Sequence, residues 1–562
     1  MVCFSYSRCR SAGHGSCLRR LLVRCDVRLR QTHTACTSIT ASIAGSSTTH
    51  AQSGRATRDK TKAFPSSPRS CWQPDVHFPK MTVQNNSHDD SPRKLVVIYA
   101  PPGMAGHLVP TAELGNLLVA QGLQVTVVTA GEAEQGAGGS FLAGIAAANP
   151  SLSFHCLPAA TLPSDVPAGI SFEAKVFELA RASNPDLRAF LRSASPAALV
   201  IDFFCSSALH VGAELGIPTY FFLTTCVASV ALCLYQPVIH EQTTLSFRDL
   251  GGDLVHAPGL PPIPADHMAA ALLDRDSWSN KLFLDLSEQL CNSQGVIVNS
   301  CRSLEPRATA AIVSGLCTFP GRRTPPLYCV GPLVKPEEDA GTTKRHECLA
   351  WLDGQPKASV VFLCFGSLGR FSAKQTKQIA AGLETSGQRF LWAVRRPPGD
   401  VHQLPDDDLD ALFPEGFLQR TRGRGLVVMS WAPQREVLAH SAVGGFVTHC
   451  GWNSVLEAVM AGVPMLAWPL YAEQRMNKVF LVEEMRLAVA MAGYDKETVE
   501  AQEVAAKVTW LIDSDGGREL RQRTQAAMQR AEEALSDDGE SKAALMNLAT
   551  QWKSTNDDGV IN

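Results

Sequence analysis

From Leu95 onward the chain alternates short, unbroken apolar runs with amphipathic segments, and the change of period marks the elements. LVVIYA (Leu95–Ala100) is apolar at consecutive positions, as in a strand buried on both faces. PPGMAGH follows as a glycine-bearing loop; LVPTAELGNLLVAQG then spaces apolar residues three and four apart, predicting a helix that stops at Gly122. VTVVT and AALVIDFF (Ala197–Phe204) read as further strands. The scheme restarts at SVVFLCFGSLG (Ser359–Gly369), where a strand again gives way to a glycine loop. Ser372 followed by Gln375 predicts a capping box for the helix SAKQTKQIAAGLE, and RFLWAVR, GLVVMSW, GGFVTH and VPMLAW supply four more strands. Such alternation predicts an α/β fold class: two doubly wound, Rossmann-like parallel-sheet domains facing one another across a cleft at the carboxyl ends of both sheets.

The composition shifts suggest boundaries. Residues 93–332 form the first domain, and LVKPEEDAGTTKR (333–345), charged and bearing Gly and Pro, forms a linker. Residues 346–540 form the second domain and 541–562 a closing helix with a tail. Thr219 to Ile239 is uncharged and long enough to span a bilayer. Thr224, Thr225, Ser229 and Gln236 interrupt it, Pro218 and Pro237 bracket it, and no basic cluster anchors it, so a buried strand followed by a core helix is expected.

Bulk properties narrow the classes. At 562 residues a single core is exceeded. The net charge of -3 is uneven: residues 1–80 hold 13 Lys and Arg against 3 acids, leaving 38 basic and 51 acidic side chains beyond, which excludes a nucleic-acid binder. The 17 cysteines are odd in number and contain no C-x-x-C pair, arguing against a zinc site or a disulfide scaffold and for reduced thiols in a cytoplasmic protein. Residues 1–92 are read as an extension. Its first 80 residues, rich in Arg, Ser, Thr and Cys, fit an organelle transit peptide, plastid targeting included, or translation upstream of a start at Met81.

The stretch GGFVTHCGWNSVLEA (Gly444–Ala458) carries candidate chemistry. A strand ends at FV, THCG turns, and a helix starts at Asn453. The free N–H groups and positive dipole end of that helix suit an anion. Asn453, Ser454 and His449 can add donors, and Glu457 lies on the same helix face, one turn on, placed to accept from a ribose diol. The stretch reads as a nucleotide-diphosphate site; on the residues alone it reads equally as a capped strand-to-helix junction with a core tryptophan.

The flanks add to this. WAPQREVLAHSAVGGFVTHCGWNSVLEAVMAGVPMLAWPLYAEQ (Trp431–Gln474) resembles, over its whole length, the donor-binding signature of plant family-1 UDP-glycosyltransferases, and the resemblance extends over about Leu95 to Lys553. It implies a GT-B fold and inverting, metal-independent transfer of glucose from UDP-glucose, a co-substrate, with no cofactor. It implies that Trp431 stacks on uracil, Ala432 meets the base through its backbone and Gln434 the ribose, while Glu457 holds the ribose hydroxyls. His449, Gly451, Asn453, Ser454 and Ser367 would hold the pyrophosphate, and Glu473 and Gln474 the sugar hydroxyls. Ser367 rests on little else, since a lone G-S after a strand is common. Neutral Trp452, where glucuronate users tend to place Arg, and Gln474 point to glucose. The closing helix would return to the first domain, as in relatives.

Transfer to a hydroxyl needs a base, and histidine titrates in the right range. His107 ends the first glycine loop; by itself it could equally be a capping or solvent-facing residue, but PPGMAGH matches the family's loop ending in the catalytic histidine. Ala105 lengthens the family's spacing. Asp202 ends ALVI at a strand's carboxyl edge and matches the acid that orients the base, and Thr225 matches a position near the sugar or diphosphate. The acceptor would be a small hydrophobic hydroxylated molecule, a phenol or flavonoid, taken near Met104, Phe203, Phe204 and the loop after Leu260. A terpenoid or hormone acceptor, or a non-catalytic UDP-sugar sensor, is the alternative; retention of both His107 and Asp202 speaks against the sensor. A dehydrogenase lacks its G-x-G-x-x-G, and the acidic DDDLD (Asp406–Asp410), formally a metal-binding D-x-D, sits in a Pro-flanked loop without a strand. A monomer with no transmembrane span and no bound metal is expected.

Overall fold

The computed structural model describes residues 93–131, 137–335, 345–398 and 410–554. The N-terminal extension, most of the 333–345 linker and most of DDDLD lie outside the described residues. The first half contains β1 (Leu95–Ala100), β2 (Gln124–Ala130), β3 (Ser153–Leu157), β4 (Ala198–Asp202), β5 (Thr219–Leu223), a short antiparallel ribbon of β6 (Leu254–Val255) and β7 (Ile263–Pro264), then β8 (Gly295–Val298) and β9 (Leu327–Cys329). The second half contains β10 (Val360–Cys364), β11 (Arg389–Val394), β12 (Gly425–Met429), β13 (Val443–Thr448), β14 (Met465–Ala467) and β15 (Ala488–Ala490). Two parallel sheets result, ordered β3-β2-β1-β4-β5-β8-β9 and β12-β11-β10-β13-β14-β15. Each is a Rossmann-like sheet whose order reverses once, between β1 and β4 and between β10 and β13. Connections leave a reversal point in opposite directions, which opens a crevice at the strands' carboxyl ends.

Strand alternation sorts the core. Val96 and Ile98 join Leu114, Leu118 and Trp552 on one face of the first sheet, whereas Val97 and Tyr99 join Phe177, Leu187 and Phe204 on the other. The second sheet repeats this, with Val361 and Leu363 in one cluster and Val360 and Phe362 in the other. One apolar cluster runs continuously from the first sheet through Cys226 and Val227 to Cys450, Trp452, Met476 and Phe480 of the second half.

The uncharged Thr219–Ile239 stretch becomes β5 and the helix Val227–Gln242, which begins on a buried carboxylate. Glu305 accepts the N–H groups of Val227 and Ala228, each at 2.9 Å, and the hydroxyl of Ser300, satisfying donors that a helix start leaves open. Among the described residues no helix is long and apolar enough to cross a membrane. Every cysteine among the described residues is a free thiol.

Two local expectations are corrected. The first helix runs Ala105–Ala120 and so begins before Leu108, and His107, expected to close the loop and open this helix, lies within its first turn. Gly103, at φ +68°, turns the chain abruptly, and the additional Ala105 is absorbed as the first helical residue. The capping box is half formed: the Ser372 hydroxyl accepts the Gln375 N–H at 3.2 Å. The Gln375 amide does not return to Ser372; it is buried and bonds both backbone groups of Val499 at 3.0 and 2.7 Å. A partner that is otherwise unsatisfied in the interior outcompetes an exposed terminal N–H.

The helix Glu540–Lys553 lays Leu545, Leu548, Ala549 and Trp552 into the core of the first sheet, and Ser541 donates to the Gly331 carbonyl at 2.6 Å. Trp552 is 1% exposed and meets Tyr220 edge-on at 5.3 Å. Trp552→Ala is expected to cost about 3–5 kcal/mol of stability, as large-to-small changes at buried aromatics do. Urea unfolding followed by near-ultraviolet circular dichroism would show the lowered midpoint.

Candidate active site

At the β1/β4 reversal, the first helical turn presents His107 and the end of β4 presents Asp202. Asp202 is 1% exposed; one carboxylate oxygen accepts the Phe204 N–H at 2.9 Å and the other lies 2.7 Å from His107 Nδ1. The carboxylate therefore fixes the proton on Nδ1, leaving Nε2 with its lone pair. The Thr224 hydroxyl lies 3.3 Å from the same Nδ1. The rings of Phe203 and Phe204 stand 5.4 and 5.2 Å from the imidazole, and Phe177 and Phe283 extend this aromatic wall. Burial opposes charging of His107, but Asp202 and, from the second domain, Glu473 outweigh it and hold its pKa above the ordinary value.

At the β10/β13 reversal a second set gathers. The helix Trp452–Met460 starts at Gly451 with no side-chain cap, so its first-turn N–H groups point into the crevice unclaimed by a side chain. His449 is 6% exposed, its Nδ1 has no hydrogen-bond partner, and burial lowers its pKa to about 4. The ring rests against two glycines: a Cβ at Gly366 or Gly451 would come within 2.6 or 2.5 Å of Nε2. Gly366 also needs its φ of +73°, so only glycine serves there. Arg395 donates to the Gly366 carbonyl at 3.2 Å and holds this loop, on which Ser367 is exposed.

Gln434 reaches into the same helix start, donating to Ser454 Oγ at 2.9 Å and Glu457 Oε2 at 2.6 Å; burial nevertheless pushes the Glu457 carboxyl upward. Trp431 is 62% exposed, unusual for its size, while Ala432 beside it is buried. His346 meets the Trp431 ring edge-on at 5.6 Å. Gln474 spends its amide oxygen on the N–H groups of Leu470 and Tyr471, at 2.9 and 3.0 Å, which leaves its NH2 as a donor. Burial raises the pKa of Glu473, and His107 acts in the opposite direction.

The two sets touch. Pro110 has no N–H to give the carbonyl of Gly106 four residues back in its helix. That carbonyl instead accepts the Asn453 amide of the second domain at 3.0 Å. The Trp452 indole, 3% exposed, donates to the Asn299 carbonyl at 2.7 Å. The Trp452 side chain is thus spent on a packed domain-to-domain contact. It followed the second of the two readings that the residues alone allowed.

Comparisons with known proteins identify the family. Residues 324–519 match the family described as UDP-glucoronosyl and UDP-glucosyl transferase. Over 479 residues the chain is 45% identical to UDP-glycosyltransferase 88F3 of Pyrus communis, spanning 81% of this chain and 99% of that protein. The chain belongs to the UDP-glycosyltransferases. It is also 44% identical over 481 residues to phloretin 2'-O-glucosyltransferase of Malus domestica, covering 81% of this chain and 99% of that one. Among solved structures, a UDP-glucosyltransferase from Polygonum tinctorium capable of glucosylating indoxyl, in complex with 3,4-dichloroaniline, is similar with a TM-score of 0.75 at 35% identity. The match covers 83% of this chain and 100% of that one. The fold of this UDP-glycosyltransferase is accordingly GT-B.

Sequence reasoning missed three residues of the site. Thr224 places its hydroxyl beside the base, its signal being its position as the first residue beyond the carboxyl end of β5, while the hydroxyl of Thr225 is buried without a hydrogen-bond partner. His346 bears on the site only through a tertiary contact and carried no local signal, whereas Asn477 lies four residues after Glu473 and bonds its carboxylate, a spacing the sequence could have shown. Among the described residues no group of three or more His, Cys, Asp or Glu side chains could hold a metal ion.

The His449 environment has a consequence for stability. Between the ordinary histidine value of 6.5 and about 4, the unfolded chain takes up a proton that the folded site refuses. His449 therefore costs stability as pH falls through that window, by about 3 kcal/mol in full. His449→Gln should gain on the wild type by that order between pH 6.5 and 4, measured as unfolding free energies in urea.

Proposed function

We propose that this UDP-glycosyltransferase transfers glucose from UDP-glucose to a hydroxyl of a small phenolic or flavonoid acceptor, with inversion and without a metal, giving a β-O-glucoside. The observation that carries this reading is the His107–Asp202 pair at 2.7 Å, held opposite an uncapped helix start. Nε2 of His107 takes the acceptor proton as the acceptor oxygen attacks the anomeric carbon. The bond from that carbon to the diphosphate breaks on the other side, and UDP leaves. Charge developing on the diphosphate is met by the first-turn N–H groups of Trp452–Met460, by Asn453 and Ser454, by the N–H of neutral His449, and by Ser367. Fixed dipoles of this kind do the work a cation does elsewhere.

The exposed Trp431 ring suits uracil stacking, worth about 1–3 kcal/mol, with the Ala432 backbone on the base edge. Gln434 and Glu457 suit the ribose, and Glu473 with the NH2 of Gln474 the glucose hydroxyls. With Trp452 turned away, glucose as the sugar rests on these two side chains and on relatives named as glucosyltransferases. A phenolic acceptor is supported by the wall of Phe177, Phe203, Phe204 and Phe283 beside His107, which offers planar rings edge and face contacts. The names of the apple phloretin and Polygonum indoxyl enzymes agree with it.

Mass-spectrometric screening of the purified protein with UDP-glucose and a phenol and flavonoid library tests the reading; absence of any glucoside would overturn it. His107→Ala should lower kcat by about 10²–10⁴-fold, the usual share of a general base. Binding of UDP, followed by calorimetry, should be retained; loss of both together would place the base elsewhere. Because the base works neutral and its pKa is raised, the acid limb of kcat/KM should lie above the ordinary histidine value. Asp202→Asn removes the stronger of the two carboxylates that raise it, leaving Glu473, and should move the limb to lower pH while slowing the reaction.

A further inference from the structure

We propose that Asn477 is a positioning residue that aims the Glu473 carboxylate, fixes the turn ahead of the phosphate-facing helix and sets both against the first domain. This rests on the reading of Glu473 as a sugar ligand.

Asn477 is fully buried in the helix Gln474–Val479, four residues after Glu473 and so on the same helical face. Its Nδ2 donates to Glu473 Oε1 at 3.2 Å and to the Cys450 carbonyl at 2.9 Å. Its Oδ1 faces the Cys226 thiol of the first domain at 3.8 Å. A primary amide has two hydrogens and one oxygen, and all three are committed to protein. Asn477 is therefore not itself placed to hold substrate; it holds three segments that are.

Each segment needs an outside support. Cys450 is non-glycine yet sits at φ +68°, directly before Gly451, so the orientation of its peptide plane is not one that its own residue prefers. That plane leads into the N–H groups read as the diphosphate site. Glu473 precedes its helix; burial raises its pKa, its own backbone N–H and His107 favour the ionised form, and Glu173 of the acceptor side opposes it. Lys478, next in the chain after Asn477, lies over the Tyr494 ring. The Asn477 amide is the side-chain donor that holds this carboxylate in place, and it adds to the backbone N–H and His107 in favouring the ionised form against burial. Cys226 caps the helix Val227–Gln242 two residues after Thr224, whose hydroxyl reaches His107. One buried amide thus spans the sugar ligand, the phosphate turn and the strand end beside the base. Aspartate at this position would keep the shape but set lone pairs against the Cys450 carbonyl and a like charge against Glu473.

The test compares wild type with Asn477→Asp, Asn477→Ala and Glu473→Gln. KM for UDP-glucose, kcat, and the affinities of UDP and UDP-glucose are measured across pH, and melting with and without UDP verifies the fold. Both Asn477 variants should raise KM for UDP-glucose by about tenfold, the effect of losing a hydrogen bond to a charged group, with UDP-glucose losing more affinity than UDP. The rise of KM on the acid side, which follows protonation of Glu473, should start at higher pH than in the wild type. Should Asn477→Asp fail to fold, Asn477→Ala, which brings in no charge, carries the comparison. If both Asn477 variants keep the wild-type affinity ratio and pH limb while Glu473→Gln raises KM, the proposal falls and the reading of Glu473 stands. If Glu473→Gln also leaves KM unchanged, both fall together.

Discussion

Two consecutive side chains at the start of one helix, Trp452 and Asn453, each donate to a main-chain carbonyl of the first domain, Asn299 and Gly106. Much else in the crevice depends on those bonds. An inverting transfer needs its base and its leaving-group site held opposite each other, and they come from different sheets. The Trp452 indole is a buried donor, and leaving its bond unmade costs about 1–3 kcal/mol, so the two halves lose stability if they slip. The Gly106 acceptor exists because Pro110 removes the helical N–H that would have claimed it. A break in one helix is thereby converted into a contact with the other domain, one residue from the base. The backbone bond from Ala270 N–H to the Ala472 carbonyl, at 3.2 Å, adds a tie beside Glu473.

Within that frame, environment gives the same kind of side chain opposite tasks. His107 and His449 are both largely withdrawn from water. His107 faces Asp202 and Glu473, which favour its charged form, so it can hold a proton taken from an acceptor. His449 faces glycine backbone and no carboxylate, stays neutral, and can offer only a hydrogen bond. Separation of titratable groups by surroundings rather than by type is how one site runs proton transfer beside an anion. Glu457 and Glu473 are both raised by burial, and each is met by a side-chain amide, from Gln434 and Asn477, that favours the ionised form.

Where the sequence reading succeeded, the reason is local. Strands buried on both faces must be apolar at every position, so β1, β4, β10 and β13 are plain in the chain. The donor-side residues between Trp431 and Gln474 are close in sequence, and a spacing along one turn and one helix can be read directly. Where it fell short, the deciding contact came from a distant segment. Trp452 was open between ligand reader and core residue until Asn299, 153 positions away, claimed its indole. Gln375 left its capping box for Val499, 124 positions on. Thr224 belongs to no motif read in the chain, and only the fold brings its hydroxyl to His107, 117 positions away.

The amino-acid sequence by itself determined the alternation of elements, the two glycine loops, a helix start close to Asn453 and the family to which the chain belongs, because periodicity, turn chemistry and motif spacing act over a few residues. The tertiary structure alone decided which imidazole has its charged form favoured and which has it opposed, which tryptophan is exposed, and which amide ties the halves together. Those properties are set by burial and by partners tens to hundreds of residues away, which enter a side chain's surroundings only once both sheets have formed and docked.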